Sequence, residues 1–291
     1  MRWVASVVLA ALFLTGCSSR HPATTGVRSP VSGAAAPSGT SPSAAGGAPP
    51  GASRVPPQRW HPSVGLSWQW QLSGVLDPTV DAQVYDVDAV QTSAMQVAAL
   101  HAAGRRVICY VDAGSFEKGR PDAQRYPATV LGRAMDGWPD ERWVDVRRWD
   151  LLEPILSDRF RACRQKGFDG VEADNVDGYA NDTGFPLSEA DQLTFDRRVA
   201  ALAHSTGLAV GLKNDLDQVP ALAPEFDFAV NEQCAQYREC DALRVFIAAG
   251  KPVFHAEYDV PTGTFCPVTR ALGFSSIRKH LSLDAWRETC S

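Results

Sequence analysis

Carboxylate side chains follow short apolar runs at several places along this chain of 291 residues. The acids placed in this way are Asp86 and Asp88, Asp112, Asp174 and Asp177, Asp215, Glu232, and Glu257 and Asp259. Acids that face one shared opening raise one another's pKa, which separates a proton donor from a nucleophile, as glycoside cleavage requires. The pattern therefore favours hydrolysis by two carboxylates, although Asp and Asn at a single strand end commonly cap the next helix instead.

Other reaction types have weaker support in the sequence. No apolar run ends in a serine elbow, and the cysteines are better used in disulfides, so acyl transfer is disfavoured. Zinc would call for CxxC or HxxxH spacing, which is absent. We predict no metal and no cofactor, while a hard cation held by the clustered carboxylates is the open alternative.

The apolar runs alternate with amphipathic stretches, which is typical of βα units in a parallel sheet. Strands are predicted at residues 67–72, 83–87, 106–111, 170–173, 209–212, 228–231, 252–256 and 275–278. Helices are predicted at residues 93–103, 151–166, 188–205 and 241–249, and glycines at 104, 167, 207 and 250 mark their ends. Eight strands predict a (β/α)8 TIM barrel. A doubly wound open sheet is the alternative, but no GxGxxG or P-loop motif supports it.

The N-terminal residues have the pattern of an export signal. A positively charged start and a short apolar run lead to Leu-Thr-Gly and then Cys17. We expect residues 1–17 to be a lipoprotein signal ending in a lipidated Cys17, and residues 18–55, rich in Ser, Ala, Gly and Pro, to be a disordered tether. The protein would then be exported and held by lipid on the extracytoplasmic face of the cell membrane. An ordinary secretory signal is the alternative. Residues 56–291 form one predicted domain.

Charge and cysteine content restrict the partners and the compartment. The formal net charge is −5, which disfavours nucleic acid and is compatible with a cationic substrate. Besides Cys17 there are six cysteines, and an even count outside the cytoplasm predicts disulfides, with fifteen possible connectivities. We favour the pairs Cys109 with Cys163, Cys234 with Cys240, and Cys266 with Cys290.

Several separated motifs resemble glycoside hydrolase family 114. They are GLSWQWQL at residues 65–72, WVDVR at 143–147, GFDGVEADNVD at 167–177, KND at 213–215 and NEQC at 231–234. The resemblance implies a (β/α)8 barrel and endo-hydrolysis of α-1,4-linked galactosamine polymers. It further implies catalytic acids on the fourth and sixth strands, here Asp174 as the nucleophile and Glu232 as the acid/base. Glu172 departs from the apolar residue common at its position.

Strand geometry adds a physical argument for this pair. Glu172 and Asp174 lie on the same face of their strand, so Glu172 would lie one layer below Asp174. A buried Glu172 needs a partner, and Lys213 is the nearest candidate, unless it is simply a surface charge. Our hypothesis is retention of configuration, for which the two catalytic carboxyl groups should be about 5 to 5.5 Å apart; inversion needs about 6.5 to 9.5 Å.

Substrate contacts are expected from aromatic and polar residues near the strand ends. Trp68 and Trp70 share one side of the first strand and Gln69 and Gln71 the other, but the sequence leaves open which pair faces inward. The predicted substrate-binding residues are Trp68, Trp70, Asp86, Tyr110, Asp112, Asn175, Lys213, Asn214, Glu257 and Tyr258. Core packing or capping is an equal alternative for each of them. An acidic mouth favours a cationic amino-sugar polysaccharide, bound by a monomer.

Two alternatives to this function stay open at this point. The first is an anchored carbohydrate-binding lipoprotein that has lost turnover, against which the presence of both Asp174 and Glu232 argues. The second is a barrel hydrolase that acts on another glycan, and an acid-poor groove would favour it.

Overall fold

The strands form one large sheet and one small one in the part of the chain that the computed structural model describes, residues 59–290. The signal segment, Cys17 and the tether predicted for residues 1–55 lie outside these residues. In chain order the strands are β1 (Trp68–Gln71), β2 (Val84–Asp88), β3 (Arg106–Asp112), β4 (Ser115–Glu117), β5 (Leu131–Met135), β6 (Trp138–Val144), β7 (Gly170–Asp174), β8 (Ala209–Lys213), β9 (Phe228–Glu232), β10 (Val253–Glu257), β11 (Ser275–Arg278) and β12 (Glu288–Thr289).

The large sheet runs in the order β1-β2-β3-β7-β8-β9-β10-β11-β12, and all its pairs are parallel except that of β12 with β11. The fold is the (β/α)8 TIM barrel expected from the sequence. Each of the eight predicted strands is present, with both ends within one residue of the prediction.

The seam between β11 and β1 is bridged by the C-terminal segment rather than by a direct strand ladder within residues 59–290. The Leu72 backbone N–H donates to the Leu283 carbonyl at 2.9 Å, and Arg287 donates to the Trp68 carbonyl. These contacts supply partners to backbone groups at the edge of β1 that would otherwise lack them.

Helices cover the outside of the barrel. They are α1 (Ala94–Ala102), α2 (Trp149–Lys166), α3 (Glu189–Ser205), α4 (Val219–Leu222), α5 (Cys234–Tyr237), α6 (Arg244–Ala248) and α7 (Thr262–Ala271). Ser93 and Ser188 form capping boxes that start α1 and α3, and Gly167 ends α2 in the left-handed conformation with φ of 97°. The helix predicted at 241–249 is instead a 3-10 turn at Cys240–Leu243 that continues as the short α6. None of the helices within residues 59–290 is both long and apolar enough to cross a membrane.

Alternating strand residues divide the core into an inner and an outer layer. Trp68, Trp70, Phe228 and Phe254 fill the barrel, and the Trp68 and Phe254 ring centroids are 5.3 Å apart. Gly211 lies beside Phe228, where an added Cβ would be 2.2 Å from the ring. The inner layer therefore needs a glycine at this position. The structure also resolves which side of β1 faces inward: it is the tryptophan side.

The small sheet, in the order β4-β6-β5, was not predicted. It lies in the chain between β3 and α2, and its strands pair antiparallel. The helix α7 was also missed. The β6 sequence WPDERWV contains a proline and three charges, so it carries little of the apolar alternation by which strands are recognised.

All three favoured disulfides are present. Cys109–Cys163 joins the outer face of β3 to α2, Cys234–Cys240 closes the turn after β9, and Cys266–Cys290 joins α7 to the C-terminal segment. The first and last of these hold outer elements on the barrel, and the second stiffens a loop at its mouth.

Candidate active site

A buried lysine joins three carboxylates at the mouth of the barrel. Lys213, the last residue of β8, has its Nζ 3.0 Å from Asp174 Oδ1, 3.1 Å from Glu232 Oε2 and 3.3 Å from Glu172 Oε1. Its side chain is only 4% exposed, whereas Asp174 and Glu232 keep 15% and 23% of their side-chain surface exposed. The lysine therefore lies beneath two acids that solvent and ligand can reach.

Asp174 ends β7 and is surrounded by donors. Its Oδ2 accepts a hydrogen bond from Tyr110 Oη at 2.7 Å, and its Oδ1 accepts one from the Asn175 backbone N–H at 2.8 Å. Burial alone would raise its pKa, but the Lys213 charge and these hydrogen bonds outweigh burial and lower the pKa of Asp174 below its usual value. This carboxyl group is therefore ionised at neutral pH.

Glu232 ends β9 and approaches Lys213 from the other side. Tyr258 Oη donates to Glu232 Oε1, and the Glu232 backbone N–H donates to Asn214 Oδ1 at 2.9 Å. Lys213 Nζ is common to both short contacts, so the nearest carboxylate oxygens of Asp174 and Glu232 are at most about 6 Å apart. Such a gap fits one sugar carbon and its leaving oxygen.

A second layer of acids lies directly below. Glu172 Oε2 accepts a hydrogen bond from Trp70 Nε1 at 3.1 Å, and Trp70 also places its ring centroid 4.8 Å from Lys213 Nζ. Burial, only partly offset by Lys213, raises the pKa of Glu172 to about 7. Burial next to Glu172 holds the pKa of Asp86 well above its usual value. Glu172 thus lies one layer below Asp174 with Lys213 as its partner, as the sequence predicted.

The structure brings most of the predicted site residues to one place. Asp174, Glu232, Tyr110, Asn175, Lys213, Asn214 and Tyr258 surround a single opening. Asn175 and Asn214 both have positive φ, of 59° and 48°, directly after their strands. Non-glycine residues in this conformation are uncommon and often lie at functional sites. Gly114 packs against the first of these turns, where an added Cβ would be 1.7 Å from the Asn175 carbonyl oxygen.

Four predicted contact residues lie elsewhere. Trp68 and Asp86 are buried inside the barrel, and Trp70 packs beneath Lys213. Glu257 faces outward because it alternates with Tyr258, and its Oε1 accepts a hydrogen bond from the Ala235 backbone N–H at 2.8 Å. None of the four side chains is open to a ligand at the mouth. The prediction of direct substrate contact by these residues is corrected accordingly.

Asp112 also has an internal partner. Its carboxylate accepts hydrogen bonds from both the backbone N–H, at 2.8 Å, and the hydroxyl of Ser115. Burial and the neighbouring acids raise its pKa to about 7. Asp112 therefore positions the start of the small sheet, and a hydrogen bond with the Asn175 side chain links it to the mouth.

The small sheet contributes acids that the sequence analysis did not select. Glu117 and Glu141 are paired across β4 and β6. Burial, together with the charges of Asp112, Glu117 and Asp174, raises the pKa of Glu141 to about 8. The last two residues of β6 begin the WVDVR motif at 143–147. In the sequence, this motif was the signal that the segment belongs to the site. The mouth is thus rich in acids, with Lys213 and Arg120 as nearby cations.

Comparisons with known proteins agree with this geometry. The crystal structure of Aspergillus fumigatus Ega3 in complex with galactosamine is similar, with 39% sequence identity and a TM-score of 0.76 over 82% of this chain and 100% of that chain. The glycoside hydrolase domain of PelA from Pseudomonas aeruginosa shares the fold, with 15% identity and a TM-score of 0.60 over 77% of this chain and 97% of that chain.

Two sequence comparisons identify a relative and a family. A protein of Deinococcus radiodurans is 30% identical over 206 residues, which are 63% of this chain and 64% of that protein, so this chain spans a little under two thirds of that relative. The model of glycoside-hydrolase family GH114 matches residues 50–291, a range that contains β1 to β12 and every residue around Lys213. The protein is therefore a glycoside hydrolase and belongs to family GH114.

Proposed function

We propose that this enzyme hydrolyses α-1,4-linked galactosamine polymer, with Asp174 as the nucleophile and Glu232 as the acid/base. The observation that carries the proposal is the position of Lys213 Nζ, 3.0 Å from one acid and 3.1 Å from the other at one opening. A binding site for a neutral sugar has no need of two partly exposed acids held this close on a single buried cation.

The reaction that fits this geometry retains the anomeric configuration. Glu232 gives its proton to the glycosidic oxygen as that bond breaks, and Asp174 attacks the anomeric carbon to form a glycosyl ester. Water then attacks the same carbon, Glu232 takes its proton, and Asp174 leaves as a carboxylate. Lys213 keeps Asp174 ionised for the first step. The two acids share the Lys213 ammonium group, and their nearest oxygens are at most about 6 Å apart, which supports a nucleophile and an acid/base on either side of one anomeric carbon.

The proposed substrate follows from charge and from the relative that holds galactosamine. Ega3 binds that amino sugar, and it is 39% identical to this chain. The mouth presents Glu117 and Glu141 near the catalytic pair, and a protonated amino group would donate charge-assisted hydrogen bonds to the carboxylates that are ionised there. An acid-poor groove, which would have favoured another glycan, is not what surrounds Asp174.

The test is a reducing-end assay on deacetylated galactosamine polymer with wild type, Asp174→Asn and Glu232→Gln. Removal of either the nucleophile or the acid/base should reduce kcat by about 10²-fold to 10⁴-fold. Asp259→Asn is the matched control, because Asp259 is an exposed acid one residue beyond Tyr258 and should be nearly silent. Wild-type turnover in both catalytic variants would refute the assignment. Proton NMR of fresh product tests the stereochemistry, and an inverted anomer would contradict the retaining mechanism.

We further propose that the protein acts as an exported monomer attached to the membrane by lipid on Cys17. The apolar run before Leu-Thr-Gly-Cys and the 38 residues of tether composition from 18 to 55 support this arrangement. Mass spectrometry of the N-terminal peptide should find an acylated cysteine, and Cys17→Ser should release the protein from membranes. Light scattering of a chain that begins at residue 56 should give the monomer mass. An unmodified, fully soluble wild type would contradict the anchor.

A further inference from the structure

Two carboxylic acids lie together below the catalytic pair, and the reaction as described does not use them. Asp86 on β2 and Glu172 on β7 are both fully buried, with 0% of their surface exposed. Both oxygens of Asp86 and Oε1 of Glu172 lack a hydrogen-bond donor within the described residues. Glu172 Oε1 has only the ion-pair contact with Lys213 Nζ, at 3.3 Å. The fourth oxygen, Glu172 Oε2, accepts a hydrogen bond from Trp70.

Such an arrangement is unstable if both acids are ionised. A buried carboxylate without donors loses its hydration and gains nothing in return, so the group takes up a proton instead. The side chains of Asp86 and Glu172 are within hydrogen-bonding reach of one another. One proton held between them turns one carboxyl group into a donor for the other, and it lowers the number of unpartnered oxygens.

We propose that Asp86 and Glu172 share one proton and act together as a positioning pair that holds Lys213 between Asp174 and Glu232. With the proton in place the pair carries one negative charge rather than two. Lys213 then remains available to the two acids above it. Neither Asp86 nor Glu172 touches the reacting atoms, because both lie below the exposed layer of the site.

The groups that face the pair come from several strands. Trp70 on β1 donates to Glu172, and Lys213 on β8 contacts it. Asp174 on β7 and Glu232 on β9 act on Glu172 through their charges, and the charge of Glu172 in turn raises the pKa of Tyr258, which follows β10. The only cation among them is Lys213. A second full negative charge in the pair would therefore have no counterion of its own, and the raised pKa values of both acids agree with a retained proton.

The consequence for the reaction rests on the proposed function. Glu232 must hold a proton to act as an acid, and a negative charge below it helps to keep that proton on. If the pair becomes neutral, the charge of Lys213 is no longer balanced from below, and it favours loss of the proton from the general acid. The alkaline limb of the kcat/KM profile would then move to lower pH, since this limb reports the loss of that proton.

Two isosteric variants separate charge from shape. In Asp86→Asn the amide donates to Glu172 in place of the shared proton, so the net charge stays the same and the normalised pH profile should keep its alkaline limb. In the double variant Asp86→Asn with Glu172→Gln the charge is lost, and the limb should move by about one to two pH units toward acid. Equal shifts in the single and double variants, or no shift in the double variant, would overturn the proposal.

A spectroscopic measurement tests the proton without any activity. An infrared difference spectrum between wild type and Asp86→Asn at neutral pH should contain the C=O band of one protonated carboxyl group, and its absence would refute the shared proton even in an active enzyme. The band together with an inactive wild type would instead refute the proposed function alone. Thermal unfolding verifies that the variant is folded. If the variant does not fold, carbon-13 NMR of labelled carboxyl groups in the wild type tests the proposal instead, and it should find one proton on the pair.

Discussion

Replacement of Lys213 by methionine tests the centre of the site most directly. The change keeps an unbranched side chain that is one atom shorter, and it removes one buried positive charge. It leaves Glu172, Asp174 and Glu232 without the cation that is now within 3.3 Å of each. Loss of one partner from a buried ion pair costs about 3 to 5 kcal/mol of unfolding free energy. We expect a loss in this range at pH 8.

The loss should depend on pH with a definite sign. The pKa of Asp174 is lowered in the folded wild type, so its contribution is present above the unfolded pKa and is lost as the pH falls through the folded value. The pKa of Lys213 is raised, so its contribution is complete below the unfolded lysine pKa. Both contributions are therefore present at neutral pH. In the variant the pKa of Asp174 rises, and its protonation makes the destabilisation smaller at pH 5 than at pH 8.

Urea unfolding at the two pH values measures this difference. In the proposed mechanism Asp174 must be ionised to attack, so the acidic limb of the kcat/KM profile should move to higher pH in the variant. Lys251→Met is the control. Lys251 donates to the backbone carbonyls of Ala223 and Phe226, both at 2.6 Å, so its loss should destabilise without moving the limb. An equal loss of stability at pH 5 and pH 8 for Lys213→Met, or an unmoved acidic limb, would refute the reasoning.

Three further changes probe the surroundings of the pair. Tyr258→Phe removes the hydroxyl that donates to Glu232, and the alkaline limb of kcat/KM should shift while urea unfolding changes little. Trp70→Phe keeps a ring but removes the donor to Glu172, so unfolding should cost about 1 to 3 kcal/mol less; a neutral result would mean that this hydrogen bond is not needed. Cys234→Ser combined with Cys240→Ser should lower the unfolding free energy by about 2 kcal/mol and should also lower kcat; an unchanged kcat would show that this turn does not contribute to catalysis.

Local sequence was sufficient wherever a short pattern decides a structure. All eight barrel strands were predicted because apolar runs of four to seven residues, each followed by a polar turn, form where a strand is covered on both faces. Ser93 and Ser188 mark helix starts through hydrogen bonds to residues only three positions away. The small sheet was missed because its strands are largely exposed and charged, so apolar content does not distinguish them from a loop.

The candidate site was predictable as a set of acids but not as a geometry. Glu257 and Tyr258 are neighbours at one strand end, and alternation allows only one of them to face inward. The sequence analysis predicted both as substrate contacts, but in the structure only Tyr258 faces the inside of the barrel. The acids Glu117 and Glu141 reach the mouth only because the small sheet folds over the end of β3, which no local pattern specifies.

The sequence by itself determined the order of strands and helices, the acids at the strand ends, and a barrel class into which they fit. Tertiary structure alone decided that Lys213 contacts acids from two other strands, that Trp70 lies beneath it, and that the C-terminal segment completes the ring. The physical reason is one of range. Strand and helix preferences arise within a few residues, whereas the inward face of a strand and the partner of a buried charge are fixed only when the parallel strands pair in register around one core.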